Sequence, residues 1–291
     1  GFSLQVLVDR LVTILRQRAV LHADETPVQQ LDPKAKLGGT KKAYLWAYRS
    51  NTLDGKDPIV VFDYQTSRAG QHARDFLLHW QGHLVVDDYA GYKALFNGKV
   101  TEVGCWAHVR RKFFELQVAN QSPMAAEALR RIGLLYEIEQ RGKALAVTER
   151  QKLRQAESVP VLSSLLDWLV EQVRVIAPNS GMAKALSHAI KRWSSLVVYA
   201  QSGDIPIDNN PVENCIRPIA LGKKNWLFAG SERAGCRAAA IQSLLATAKL
   251  NGLEPLAWLT STLEKLPTWP NSRIDELLPL RSSQGQQAGV D

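Results

Sequence analysis

Over the first 121 residues, five short runs rich in aromatic and β-branched residues alternate with helix-patterned segments, and this order constrains the fold most. The runs are VLHADETPVQQ, AYLWAYRS, PIVVFDYQ, HLVVDDY and VTEVGCW. Branched and aromatic side chains fit a pleated, half-buried surface, so each run reads as a strand. The first is expected to leave through a turn at Thr26-Pro27. The polar, Gly-rich stretch DPKAKLGGTKK then leads into the second, and the first three runs read as an antiparallel meander. A short helix is expected over residues 69–80, where Ala73, Phe76, Leu77 and Trp80 share one face. A second is expected over 90–96, and HVRRKFFELQ opens a longer one. The order β-β-β-α-β-α-β-α implies an α/β class, with a mixed five-stranded sheet flanked by helices.

Strand signals stop at residue 122. Leu129, Ile132, Leu135 and Tyr136, and later Leu162, Leu165, Leu166 and Leu169, recur at helical spacing. Residues 122–203 therefore read as an all-helical insertion. Upstream, residues 1–20 form an N-terminal helix with Leu4, Leu7, Val8, Leu11 and Leu15 on one face. Residues 21–121 are the first part of the core, 204–266 the second part, and 267–291 a C-terminal tail ending in the disordered-looking RSSQGQQAGVD. Near residue 210 a further helix begins, with Asn210 as its cap and Pro211 in its first position. Pro218 is expected to end or kink it. GKKNWLFAGSERAG reads as loop, and residues 236–250 as an Ala-rich helix stopped by Asn251-Gly252.

Length and composition bound the function classes. The 291 residues suffice for one large or two ordinary domains. No apolar run is long enough for a membrane span, and charges interrupt the opening helix, which excludes a signal peptide. Three cysteines, Cys105, Cys215 and Cys236, make no disulfide framework, which fits a reducing cytoplasm. The first residue is Gly rather than Met, as in a fragment of a longer protein. A net charge of +8 and a pI of about 9.4 make a polyanionic partner plausible. Arg110, Arg111 and Lys112 cluster in AHVRRKFF, and Lys223 and Lys224 in LGKKNWLF. Both clusters have aromatic neighbours, as nucleic-acid surfaces often do, although an exposed helix face explains the first equally well. Trp226 fits either a core anchor or a base-stacking residue. Cys105-x-x-His108 is half of a zinc site, and no second half follows nearby.

Three acidic residues carry the chemistry: Asp24 in VLHADET, Asp87 in HLVVDDY and Glu213 in DNNPVEN. If the fold brings them together, they form an oxygen cage for two divalent cations, which phosphodiester chemistry uses. Each also has a structural reading. An acid at the end of an apolar strand can simply turn into solvent, and Asn210-Pro211-Val212-Glu213 matches a capping box. Strand alternation puts Val85 and Asp87 on one face and Asp88 on the other.

The words HADET, DDYAGY, CWAHVRRKF and DNNPVEN-IRPIALGKKNWLFAGSERAG, in this order, resemble the transposases of bacterial insertion-sequence family 66. The resemblance runs from about Leu21 to Trp258. It implies an RNase H-like core of the DDE type, with Asp24, Asp87 and Glu213 as the three metal-binding acids and Mg²⁺ or Mn²⁺ as the two ions. It implies cleavage at transposon ends followed by attack of the freed 3′-OH on target DNA, in the bacterial cytoplasm, by a homo-oligomer on double-stranded DNA. Arg110, Arg111, Arg217, Lys223, Lys224 and Trp226 are then the candidate DNA contacts. Asp88 stands where the family usually has glycine, which leaves it as a substitute for Asp87. The family's N-terminal part, expected to bind the element's ends, has no counterpart here. A structure-specific nuclease on the same scaffold, and a non-catalytic DNA-binding protein derived from a transposase, are the alternatives.

Overall fold

The computed structural model describes residues 4–32, 34, 39–226 and 228–285. In chain order the elements are α1 (Gln5–Leu15), β1 (Val20–Leu31), β2 (Thr40–Ser50), β3 (Val60–Gln65), α2 (Gln71–Leu77), β4 (Gly82–Val86), β5 (Val100–Gly104), α3 (Trp106–Asn120), α4 (Pro123–Gly142), α5 (Val147–Leu153), α6 (Val159–Val175), α7 (Gly181–Lys191), α8 (Trp193–Leu196), α9 (Asn210–Trp226), α10 (Glu232–Leu250), α11 (Pro255–Lys265) and α12 (Arg281–Gly285). The five strands form one mixed sheet in the order β3-β2-β1-β4-β5, and helices flank it in an RNase H-like arrangement. Among the described residues no helix is long and apolar enough to cross a membrane.

The chain divides into two units, Gly1–Gly82 with Tyr89–Val100 and Pro211–Asp291, and His83–Asp88 with Thr101–Asn210. In the first, β1, β2 and β3 form the expected antiparallel meander, from Leu21 opposite Ser50 to Leu31 opposite Thr40, and from Tyr44 opposite Gln65 to Arg49 opposite Val60. The expected turn at Thr26-Pro27 is absent. Pro27 lies within β1 opposite Tyr44, with its side chain exposed. A proline withholds one N–H only, and pairing with β2 on both sides of it keeps the strand extended.

β3 is an edge strand of the sheet, and α10 covers it. The Val60 N–H donates to Thr247 Oγ1 at 3.1 Å and the Phe62 N–H to Ser243 Oγ at 2.8 Å. Two hydroxyls thus occupy amides that an open edge would offer to another strand. Gly235 permits this approach, because a Cβ there would lie 2.4 Å from the ring of Tyr64. On the sheet, Val212, Ile216 and Ile219 of α9 join Val28, Ala43, Leu45, Ala47, Val60, Phe62 and Tyr64 in one buried cluster. This packing explains why α9 continues to Trp226 despite Pro218. The apolar residues at positions 212, 216 and 219 hold the helix to the sheet. Pro218 and Asn214, whose carbonyl loses its partner, are both exposed to water. The first part of the expected loop, Gly222–Trp226, is therefore helical. Ala229 then pairs with the end of β1, its N–H donating to Gln29 O and its carbonyl accepting from the Leu31 N–H. Of the tail expected to be disordered, Arg281–Gly285 is a short helix, and residues 286–291 lie outside the described residues.

In the second unit, the stretch read as helical is helical throughout its regular elements. Ile132, Leu135, Leu162, Leu165 and Leu169 are buried, as their spacing implies. A π-turn over Arg154–Ser158 joins α5 to α6, and it carries a fully buried guanidinium. Arg154 is paired with Glu139 through two bonds and donates to the carbonyls of Tyr199, Ser202 and Ile205. Arg150 does the same for Gly142, Leu145 and Gly203. Together they fix the irregular return toward α9, whose carbonyls have no ladder to join.

Candidate active site

Asp24 lies on β1 opposite Ala47, half-buried, with its Oδ1 accepting from the Glu25 N–H at 2.8 Å. Glu25 points to the other face by strand alternation. Its side chain is buried, and it accepts from Arg68 Nε and from Tyr92 Oη, both at 2.7 Å. The Arg68 guanidinium in turn stacks over the ring of Tyr89 at 3.8 Å. Burial, and next the charge of Glu25, push the Tyr92 hydroxyl well above its ordinary pKa, so it stays a neutral donor. Nothing in the local sequence marked Glu25 as the better-anchored acid, because its partners stand 43 and 67 residues away.

Glu213 lies in the first turn of α9, half-buried and next to Val212 of the sheet-facing cluster. The helix begins at Asn210 itself, one residue earlier than a capping Asn210 would require. Within the second unit, the Asn210 N–H donates to Asp208 Oδ1 at 3.1 Å, and Asn210 Nδ2 donates to Asp208 Oδ2 at 2.8 Å. The amide that a capping box would offer to Glu213 is thus bonded to Asp208. Arg217 is exposed on α9, four residues beyond Glu213 and so on the same side of the helix. Lys223 is ten residues beyond, roughly 15 Å along the axis at the α-helical rise. The side chains of Lys223, Lys224 and Trp226 lie outside the described residues.

In the second unit, Asp87 follows the last residue of β4 and is half-buried. Its neighbour Asp88 is committed elsewhere: Arg192 Nη1 donates to Asp88 Oδ1 at 2.9 Å and to Glu102 Oε1 at 2.5 Å. Arg192 Nη2 reaches the Asp87 carbonyl at 3.4 Å. His188 Nδ1 stands 3.6 Å from Asp88 Oδ2. Burial, and next Lys112, push its pKa down to about 4, so the ring is neutral at pH 7 and Arg192 is the partner that balances Asp88. Arg192 is buried and gave no signal in the sequence, being 104 residues from Asp88. Cys105, at the start of α3, is buried. Its Sγ accepts from the Asn209 N–H at 3.2 Å and lies 3.1 Å from His108 Nδ1. Arg110 and Arg111 are exposed on α3.

Residues 1–237 match the family described as Transposase IS66 family, and residues 243–280 match the IS66 C-terminal element. The chain is 34% identical to y4qI, an uncharacterized protein of Sinorhizobium fredii, over 96% of its own length and 54% of that protein's. It is 32% identical to y4hP, another uncharacterized protein of that organism, over 93% of its own length and 52% of the relative's. A third, y4jD, is 33% identical over 95% and 56%. The chain thus spans about half the length of these relatives. With the strand order, the acidic residues and these matches in place, the chain belongs to the IS66 family of transposases.

Proposed function

We propose that this chain is the catalytic part of a DNA transposase that cleaves strands at transposon ends and transfers the resulting 3′-OH to target DNA, with Asp24, Asp87 and Glu213 as its three metal-binding acids. The observation that carries the reading is that Asp24 sits on the meander's first strand and Glu213 opens the helix packed on that same meander. The donor set fits hard divalent cations, since carboxylate oxygens suit Mg²⁺ or Mn²⁺ and leave room for water and phosphate. When bound, two such ions would activate the attacking oxygen and stabilise the leaving one. The commitment of Asp88 to Arg192 supports Asp87 as the second acid, with Arg192 fixing the corner that presents it. Arg110, Arg111, Arg217, Lys223 and Lys224 supply sequence-independent affinity for phosphates, which weakens steeply with salt. At roughly 15 Å from Glu213 along α9, Lys223 and Lys224 hold phosphates a few base pairs from the scissile one. Trp226, beside them, stacks on a base there. The protein works on double-stranded DNA in the bacterial cytoplasm, as a homo-oligomer, because two ends must be joined in concert.

Joining of a pre-cut DNA end to a plasmid, in the presence of Mg²⁺ or Mn²⁺, tests this. Joined product is expected. Cutting without joining points to a structure-specific nuclease on the same scaffold. DNA binding with neither reaction points to a non-catalytic derivative.

A further inference from the structure

A cleft of about 530 Å³ opens between α3 and α4, in the second unit. Arg110, Arg111 and Phe114 line one wall, and Gly133 and Tyr136 the other. Its size is that of a pocket for a small organic group. On α3, Trp106, Val109 and Phe113 turn inward and are buried, while Phe114 is 49% exposed. Arg110 is four residues before Phe114 and Arg111 three, so both guanidiniums flank the ring on one side of the helix.

The opposite wall is kept open. A Cβ on Gly133 would meet no atom within 4 Å, so helix α4 presents bare backbone to the cleft. Glycine in a helix interior is unfavourable relative to alanine, and here no packing demands it. Tyr136, one turn further along, is held in place by its hydroxyl, which donates to Asp208 Oδ2 at 3.0 Å. Among the described residues, none that lines the cleft is acidic. Two cations, an exposed aromatic face and an open floor are a combination that suits an anion attached to a flat ring.

We propose that this cleft takes a single unpaired nucleotide of DNA, with Arg110 and Arg111 holding the phosphates on its two sides and the base stacked on Phe114 over Gly133. The proposal rests on DNA being the polymer this protein acts on, and it adds a preference that the carboxylates do not supply. A paired base cannot enter, because its faces are covered by its neighbours until it leaves the stack. Stacking on an aromatic is tolerant of sequence, so the preference is for the unpaired state and not for a particular base.

The test is binding in EDTA, where no cleavage occurs, to a short duplex carrying one unpaired fluorescent adenine analogue and to the same duplex fully paired. The protein is expected to bind the first more tightly and to change the analogue's emission. Phe114→Ala should weaken the first complex by roughly 5- to 150-fold, the loss expected for one stacked base, and leave the second nearly unchanged. Gly133→Leu should do the same by filling the cleft. Its melting temperature should not fall, since leucine is the better helix former and the site is open. Arg110→Ala should weaken both complexes and flatten their salt dependence. Equal wild-type affinity for the two duplexes, or equal losses on both in Phe114→Ala, would overturn the cleft proposal and leave the DNA-acting reading standing. Absence of binding to either duplex would overturn both.

Discussion

Arg192 holds the corner at which β4 ends, through Asp88, Glu102 and the Asp87 carbonyl. Removing it takes a donor from two carboxylates and one carbonyl around the second proposed ligand. Arg192→Ala is therefore expected to lower metal-dependent cleavage by about 10- to 100-fold, as loss of a group that orients a ligand typically does. Metal titration should show the half-saturating Mg²⁺ concentration rising, and Arg192→Lys should recover little because a single ammonium cannot replace the forked contacts. His188 makes a second prediction. Its pKa is about 4 in the folded protein and near 6.5 when unfolded. Between those values the unfolded chain binds more protons, so stability rises with pH from about 4 to 6.5. Denaturant titrations across that range should show a shallower rise in His188→Gln. Single residues were legible in the sequence when their signal was local. Asp24, Asp87 and Glu213 stood out against apolar or capping contexts. Glu25, Arg192 and Asp208 did not, since each is defined by partners that only the fold supplies.

Elements were read well where pattern and propensity agreed, and misread where packing prevailed. The five strands and the helices after β3 and β5 follow from residue type and period, and the short helix expected over 90–96 is a 3₁₀ helix at Ala90–Leu95. Pro27 and Pro218 read locally as punctuation, yet pairing along β2 carries the strand past one, and an apolar stripe facing the sheet carries α9 past the other. The same dominance of packing makes Gly235 sensitive. Gly235→Ala forces α10 from the Tyr64 ring and should destabilise the protein by about 1–3 kcal/mol, although alanine is the better helix former. In the helical segment, Arg154→Met leaves Glu139 and three carbonyls without their buried donor. A loss of about 3–5 kcal/mol is expected in chemical denaturation, as when one partner of a buried ion pair is removed. Neither position carries a sequence signal: one is a glycine inside a helix, the other an arginine among many.

At the scale of the molecule, strand signals stop in the sequence at residue 121, and the regular elements that follow β5 are helices. The chain's division by contacts follows other lines, because β4, β5 and α3 group with the helices that follow them. Sequence period cannot reveal such grouping, since it reports the faces an element buries and not against what. The chain spans about half the length of the curated relatives it matches. The most direct measurement is joining of a pre-cut end to plasmid with Mg²⁺, run on the wild-type chain and on Asp24→Asn, Asp87→Asn, Glu213→Gln and Asp88→Asn, each first shown to be folded. Joined product is expected from the wild type, none above background from the first three variants, and reduced but measurable product from Asp88→Asn. Product persisting in any of the first three, or forming equally without divalent metal, would contradict the assignment of the three carboxylates.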